Sequence, residues 1–239
     1  WELIMGGILC FLLIKLTGLD REVIEKWLYV IVGFTFLSGI LGTGHHYYYI
    51  GTPGYWLWIG GIFGALEPLA FLGMALYALT MARRAGRDHP NRIALFWTVA
   101  CGVMSFVAAG FLGFAHTLPQ VNLWTHGTIV TAMHGHMAFW GAYAMIVLGI
   151  ITYTMPLMTG RKLYGGWVPE LAFWTSNIGM IGMTGAFAVA GITQVYLERR
   201  MGMDFLQAQK AVQVHFGGVV LAASLLTYGI ALFVWNFVQ

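Results

Sequence analysis

The chain consists of long apolar stretches separated by short polar connections. A helix needs about 20 apolar residues to cross a bilayer, and seven stretches approach or reach that length. They are residues 1–17, 27–49, 55–81, 93–116, 128–157, 171–196 and 212–239. Polar residues and turn formers gather in the connections, so the pattern predicts an all-α, polytopic bundle of about seven transmembrane helices. Since no linker divides the chain, we expect a single transmembrane domain over residues 1–239.

The composition supports a protein of the lipid bilayer and excludes several functions. Only 9% of the residues are charged and 59% are hydrophobic, whereas soluble domains carry about 25% charged residues. There is no basic run of the kind that binds nucleic acid. Cys10 and Cys101 both lie in apolar stretches and form neither C-x-x-C nor C-x-x-C-H. They therefore predict neither a thiolate metal site nor an attached c-type haem.

Lysine and arginine are distributed unevenly between the alternating connections. One side receives nine of these residues and the other receives three. The nine are Lys15, Arg21, Lys26, Arg83, Arg84, Arg87, Arg92, Arg161 and Lys162, and the three are Arg199, Arg200 and Lys210. The positive-inside rule places the first side in the cytoplasm. The chain opens with a helix already under way at Trp1, and we expect it to be part of a larger subunit.

Two pairs of histidines lie within the apolar stretches, toward the side opposite the cytoplasm. Ionisable groups at membrane depth are costly, which favours a functional role. Consecutive residues of an α-helix are about 100° apart, and residues i and i+2 are about 200° apart. His45 and His46 can therefore lean toward one metal ion, for which iron, copper and zinc all remain open. His134 and His136 must point to opposite sides, and each can bind a different haem, with Gly135 keeping the flank narrow.

Glu67 is the most unusual acidic residue of the apolar stretches, because it lies in the middle of the third one. A carboxylate at this depth must be paired, bound to a metal, or protonated. The simplest structural role is a protonated glutamate that is hydrogen-bonded to a neighbouring helix. Pro68 follows directly and should disturb the backbone hydrogen bonds there. Glu2, in the first stretch, is the second such carboxylate.

The order of these motifs resembles the haem-copper oxidase superfamily. More narrowly, it resembles the large catalytic subunit of bacterial cytochrome-c-dependent nitric oxide reductases. GTGHHYYYIG, then ALEPLAF, then HGHMAFWGAY carry the resemblance, and matching segments extend from Trp1 to about Pro156. The final third of the chain matches mainly as hydrophobic spans. The resemblance implies a haem-copper oxidase-like fold and the reduction of two nitric oxide molecules to nitrous oxide and water.

The resemblance also implies a role for each of the four histidines. His45 and His46 correspond to two of three histidines that bind a non-haem iron. His134 corresponds to the ligand of the high-spin haem b3, which faces that iron. His136 corresponds to one axial ligand of the low-spin haem b, which passes electrons to haem b3.

Other residues correspond to the surroundings of this centre. Glu67 and Glu2 match acidic residues that are implicated in proton delivery. Thr117 and His126 fall in matching segments and would have secondary roles at most. Gly64 stands where the family commonly has a serine, which we expect to weaken a hydrogen bond or a water position beside Glu67.

The remaining parts of the centre would lie outside this sequence. The family places the third iron histidine, a coordinating glutamate and the second low-spin haem ligand upstream of the segment that begins at Trp1. The expected partners are therefore the N-terminal half of the same subunit and a membrane-anchored cytochrome c subunit that donates electrons. The expected location is the bacterial inner (cytoplasmic) membrane.

Four alternatives remain open. An O2-reducing haem-copper oxidase shares the histidine pairs, although Glu67 followed by Pro68 argues against it. A quinol-dependent nitric oxide reductase would differ by a fused N-terminal extension. A di-haem cytochrome b would use all four histidines as haem ligands, which the adjacent His45 and His46 fit poorly. A transporter would leave both histidine pairs unexplained.

Overall fold

The structure is a computed structural model that describes residues 2–18, 21–85, 90–161 and 166–238, and these ranges are mostly helical. The α-helices are α1 Glu2–Thr17, α2 Arg21–Phe36, α3 Gly54–Gly64, α4 Glu67–Ala85, α5 Arg92–Met104, α6 Leu112–Thr117, α7 Pro119–Thr125, α8 Ile129–Phe139, α9 Met145–Thr159, α10 Val168–Val195, α11 Phe205–Val212 and α12 Phe216–Val238. No strand occurs in these ranges. The predicted all-α class is confirmed.

Consecutive helices join into spans that are long and apolar enough to cross a membrane. Among the described residues there are six: Glu25–Tyr47, Gly54–Arg84, Arg92–Thr117, Ile129–Thr159, Val168–Arg200 and Phe205–Val238. Ile4–Thr17 is a shorter apolar helix, in the place of the first predicted stretch. The predicted helical bundle of about seven helices is thus confirmed.

Several spans depart locally from α-helical geometry. Their π-helical turns are Leu37–Leu41, Ser105–Phe111, Trp140–Ala144 and Tyr196–Arg200, and their 3₁₀ turns are Gly42–Tyr47 and Gln213–His215. A π turn disturbs the regular hydrogen-bond ladder and is often found at functional sites. Side chains meet backbone groups at these turns. Ser105 Oγ, for example, donates a hydrogen bond to the carbonyl oxygen of Gly141 at 3.3 Å.

The chain divides into two compact units. The first contains residues 1–121 and 138–154, and the second contains residues 122–137 and 155–239. The span Ile129–Thr159 contributes residues to both units. The single domain expected from the absence of a linker stays a prediction.

The first unit packs α1, α2, α4 and α5 around a buried apolar core. Its fully buried large side chains include Leu12, Leu13, Ile31, Tyr77 and Trp97. The Trp97 ring meets the Trp140 ring edge-on, with 6.2 Å between the ring centroids. Asn91 is the N-cap of α5, and its Oδ1 accepts a hydrogen bond from the Ala94 amide at 3.2 Å.

In the second unit, α10 packs against α12 through small residues. A Cβ atom on Gly179 would lie 2.8 Å from the carbonyl oxygen of Ala222, and one on Gly229 would lie 2.6 Å from the Ser176 amide nitrogen. The two backbones therefore approach each other as closely as small side chains permit. Association of this kind is typical of membrane helices. Because lipid tails are as apolar as the side chains, the hydrophobic effect does not drive these helices together, and van der Waals contact stabilises the pair instead.

In the first unit, glycine brings the 3₁₀ segment Gly42–Tyr47 directly against α3. A Cβ atom on Gly44 would collide with the carbonyl oxygen of Trp56, and one on Gly60 would overlap the backbone of Gly44. Since the obstructing atoms are backbone atoms, they cannot rotate away. The 3₁₀ segment carries His45, so this contact fixes the position of the histidine pair on α3.

Gly60→Ala should therefore destabilise the protein, because the added methyl group overlaps the backbone of Gly44. Overpacking of this kind costs about 1–3 kcal/mol. Thermal unfolding of the full protein in detergent measures the change. Gly33→Ala in α2 is a matched control, since its Cβ would meet open space and alanine favours a helix by about 0.5–1 kcal/mol over glycine. Equal melting temperatures for the two variants would contradict the close backbone contact.

Candidate functional site

The predicted metal ligands His45 and His46 lie at the end of the span Glu25–Tyr47, on a 3₁₀ turn rather than an α-helix. Their ring centroids are 4.2 Å apart and their planes are tilted by 44°. A 3₁₀ helix has three residues per turn, so consecutive side chains diverge by about 120°. The two imidazoles nevertheless lie side by side. This geometry is compatible with a shared metal ion, which stays a prediction.

The His45 ring rests on Gly64, the last residue of α3. A Cβ atom on Gly64 would contact Nδ1 of His45 and lie 3.0 Å from its Cε1. A serine at this position would fit only if the imidazole moved. The sequence predicted an effect of Gly64 on Glu67, whereas the contact that the structure provides is with His45.

Glu67 begins α4 and is half-buried. The span Gly54–Arg84 is interrupted between Gly64 and Glu67, where the Leu66 amide donates to the carbonyl of Phe63 at 3.0 Å. The interruption follows from Pro68, which has no amide hydrogen for the carbonyl of Gly64. The predicted backbone disturbance is therefore present. Glu67 occupies the first turn of α4, where the helix dipole favours a carboxylate.

Tyr48 anchors the end of the histidine-bearing segment. Its buried hydroxyl donates a hydrogen bond to the carbonyl oxygen of Thr117 at 2.6 Å. Burial, reinforced by the neighbouring Tyr49, raises the pKa of Tyr48 above the ordinary value of a tyrosine. Thr117 thus contributes its backbone to the site. Sequence reasoning missed Tyr48, and the tyrosine run after the histidine pair was the available signal.

Two further predicted residues lie elsewhere. The side chain of Glu2, at the start of α1, is outside the described part of the chain, so its role stays a prediction. His126 is exposed between α7 and α8, and its carbonyl oxygen accepts a hydrogen bond from Nη2 of Arg199 at 3.4 Å. In this contact His126 uses its backbone rather than its imidazole.

The second unit contains His134 and His136, both on the regular α-helix α8. Their side chains leave the helix about 200° apart, as predicted. His134 is half-buried and His136 is exposed. A Cβ atom on Gly135 would meet no atom within 4 Å. No described atom therefore crowds the flank between the two histidines at Gly135.

The His136 imidazole is held from two directions. Its Nδ1 lies 2.7 Å from the carbonyl oxygen of Ala132, and its ring lies 5.2 Å from the Phe187 ring at an angle of 36°. A carbonyl only accepts hydrogen bonds, so Nδ1 is the donor in this contact, and Nε2 is the nitrogen left for a metal. An imidazole oriented through Nδ1 in this way is the usual form of a histidine that binds metal through Nε2.

The described residues supply only part of a metal-binding site. No group of three or more histidine, cysteine, aspartate or glutamate side chains among them is arranged to hold a metal ion. The further ligands of an ion at His45 and His46 stay a prediction. The resemblance to the nitric oxide reductases implies such ligands.

The chain matches the family described as "Cytochrome C and Quinol oxidase polypeptide I" over residues 1–225. The chain belongs to this family. The motif-based assignment to the haem-copper oxidases is thereby confirmed. The polypeptide I family consists of multi-pass integral membrane proteins, in agreement with the observed spans, and membership implies haem cofactors.

A curated relative supports a narrower relationship. This relative is a nitric oxide reductase subunit from Stutzerimonas stutzeri, and it is 45% identical to the present chain over 251 aligned residues. The alignment covers 100% of the present chain and 52% of the relative. The chain thus spans about half the length of the curated relative that it matches.

The hydrogen bond from Tyr48 to Thr117 predicts that the stability of the folded protein depends on pH. Tyr48→Phe should lower the melting temperature at neutral pH, because a hydrogen bond of this kind contributes about 1 kcal/mol. Since the pKa of Tyr48 is raised in the folded protein, its stabilisation is complete below the ordinary tyrosine pKa of about 10. It is lost as the pH rises through the higher pKa of the folded state.

Melting temperatures measured from neutral to strongly alkaline pH should therefore converge for the wild type and Tyr48→Phe. Tyr55→Phe, at a side chain that is 69% exposed, serves as the control and should follow the wild type throughout. A gap between wild type and Tyr48→Phe that stays constant above the tyrosine pKa would show that Tyr48 does not contribute in this way.

Proposed function

We propose that this chain is part of the catalytic subunit of a cytochrome-c-dependent nitric oxide reductase in a bacterial inner membrane. The observation that carries the proposal is the set of side chains: the adjacent His45 and His46 seated on α3, Glu67 at a helix break, and His134 and His136 on opposite sides of one helix. The 45% identity to a nitric oxide reductase subunit supports it. In the proposed reaction, two nitric oxide molecules, two protons and two electrons give one nitrous oxide and one water.

Each histidine has one proposed ligand role. His45 and His46 would hold a non-haem iron, His134 the iron of the high-spin haem b3, and His136 the iron of the low-spin haem b. When bound, these groups would pass on electrons from the cytochrome c partner and would bind nitric oxide. Imidazole suits iron in each of these positions. The proposed partners are the N-terminal half of the subunit and a membrane-anchored cytochrome c subunit.

The surroundings of His45 and His46 hold the His45 imidazole and the backbone that carries both residues. Gly64 lets the His45 ring lie directly on the backbone of α3. Tyr48 lies two residues after His46, and its hydroxyl donates a hydrogen bond to the carbonyl oxygen of Thr117 at the end of α6. The pair is therefore restrained on both sides. Such restraint favours metal binding, because ligands that are already oriented lose less conformational freedom when the ion binds.

Glu67 is proposed to hold and transfer protons through its carboxyl oxygens. Its place in the first turn of α4 stabilises the carboxylate, whereas its depth in the membrane favours the protonated acid. A group of this kind is suited to gaining and losing a proton in each turnover.

His46→Ala should remove the non-haem iron from the complete enzyme and retain both haems. Metal analysis and haem absorption spectra measure the two contents. Nitric oxide turnover should fall by about 100-fold or more, since the metal supplies most of the chemistry. His215→Ala, a histidine outside the proposed site, is the control and should retain iron and turnover.

Two outcomes of this experiment would change the assignment. Retention of iron and of nitric oxide turnover in His46→Ala would rule out the proposed metal site. Stoichiometric copper in place of iron in the wild type would favour an O2-reducing enzyme, to which the family description also applies.

Glu67→Gln should keep all metals but slow turnover, because glutamine has the shape of glutamate without a transferable proton. General acid–base groups typically contribute about 100-fold or more. Nitric oxide consumption measured with an electrode, at matched metal content, gives the effect. Glu22→Gln, at an exposed position in α2, is the control. Unchanged turnover in a fully metallated Glu67→Gln enzyme would contradict a proton-transfer role.

A further inference from the structure

In the second unit, three residues on one face of α10 contact α8, two of them at its first turn and one at His136, near its C-terminal end. Phe187, Gly191 and Gln194 occupy positions i, i+4 and i+7 of α10, which lie on the same side of a helix. We call these three residues the docking face. Gln194 and Gly191 contact the first turn of α8, whereas Phe187, closer to the N-terminus of α10, contacts His136, closer to the C-terminus of α8.

Gln194 connects the beginning of α8 to α10. Its side chain is almost completely buried, and its Oε1 accepts a hydrogen bond from the amide of Ile129, the first residue of α8, at 2.9 Å. The first amides of a helix have no partner within the helix. A buried amide left without a partner costs about 1–3 kcal/mol. Gln194 therefore caps α8 from a different helix.

Glu198 fixes the orientation of this cap. Its Oε1 accepts a hydrogen bond from Nε2 of Gln194 at 2.8 Å. With Nε2 directed to the carboxylate, the amide oxygen of Gln194 must face Ile129. The reverse orientation would bring two acceptors together at Glu198 and two donors together at Ile129. The cap therefore has one favourable arrangement.

Gly191 allows the two helices to touch through their backbones. A Cβ atom on Gly191 would overlap the amide nitrogen of Val130 and lie 2.9 Å from the carbonyl carbon of Ile129. At this distance α8 cannot turn about its own axis without breaking the contact or the hydrogen bond to Gln194. The first turn of α8 is thus fixed in both position and rotation.

Phe187 links the rotation of α8 to the position of the His136 ring. Its ring lies 5.2 Å from the His136 ring and is itself held edge-on by Phe216 at 6.1 Å. Phe187 and Gln194 are seven positions apart in α10, and Ile129 and His136 are seven positions apart in α8. Both intervals measure about 10.5 Å along a helix. The cap and the ring contact are therefore in register, so a rotation of α8 that disturbs one disturbs the other.

We propose that the docking face sets the rotation of α8 and, with it, the plane of the His136 imidazole. Gln194 is the positioning residue, since it acts on His136 through the helix and not by contact. The proposal rests on the proposed function, in which His136 binds the low-spin haem. The orientation and hydrogen bonding of an axial imidazole tune the properties of its haem. The docking face would thereby tune the low-spin haem.

Two variants disturb the docking face by opposite means. Gln194→Met removes the cap but keeps the side-chain volume, and Gly191→Ala keeps the cap but forces the backbones apart. In the complete enzyme, both should shift the largest g value and the midpoint potential of the ferric low-spin haem, at unchanged haem and iron content. Ile192→Ala, on α10 at a side chain that is 65% exposed, should leave both quantities at the wild-type values.

A second measurement does not involve the haem. Hydrogen exchange of the peptide that contains Ile129 should be at least about fivefold faster in Gln194→Met, because its amide loses a hydrogen bond. Faster exchange together with a shifted g value supports the proposal. Faster exchange with an unchanged g value and potential overturns it, since Gln194 would then only stabilise the helix. Unchanged exchange overturns it as well.

His136→Ala separates this proposal from the proposed function. It should abolish the signal of the low-spin haem, and survival of that signal would refute the haem-ligand role itself. If His136→Ala abolishes the signal while Gln194→Met leaves it unshifted, the proposed function stands and the docking-face proposal fails. Gln194→Met decides the question even where Gly191→Ala does not fold, because methionine preserves the packing.

Discussion

Every backbone amide and carbonyl within a bilayer needs a partner inside the protein, because the hydrocarbon layer contains no water. Regular helices satisfy this constraint by themselves. Where the spans of this protein depart from α geometry or begin, side chains satisfy it instead. Ser105 donates to the carbonyl of Gly141 beside two π turns, and Gln194 accepts from the amide of Ile129 at the start of α8. The irregular positions are therefore also the positions at which neighbouring helices are joined.

The two histidine-bearing segments are held by the same combination of contacts, although they belong to different units. In each segment, a glycine allows the backbone of another segment to approach closely, and one hydrogen bond joins a side chain to the backbone. In the first unit these are Gly60 and the bond from Tyr48 to Thr117. In the second they are Gly191 and the bond from Ile129 to Gln194. A rigid backbone leaves the imidazoles few orientations, which favours binding of a metal or haem.

Hydropathy predicted the spans closely, because an α-helix makes all of its backbone hydrogen bonds within one segment and is therefore stable in lipid. The stretch predicted at residues 27–49 is observed as Glu25–Tyr47, and that at 93–116 as Arg92–Thr117. Pro68 likewise predicted the break before α4. By contrast, the 3₁₀ turn under His45 and His46 was not predicted, since it depends on the glycine contact with a helix that follows it.

Hydropathy and motif order alone therefore specify the helical membrane fold and its family, and they single out the four histidines of the proposed sites. They specify these because span length, proline and the angle between residues on one helix are local properties. How the histidines are held depends on how the chain folds back on itself. Tyr48 and Thr117 are 69 residues apart, and Ile129 and Gln194 are 65 residues apart. In apolar stretches no local pattern reports which face of a helix meets another, so these restraints exist only in the packed structure.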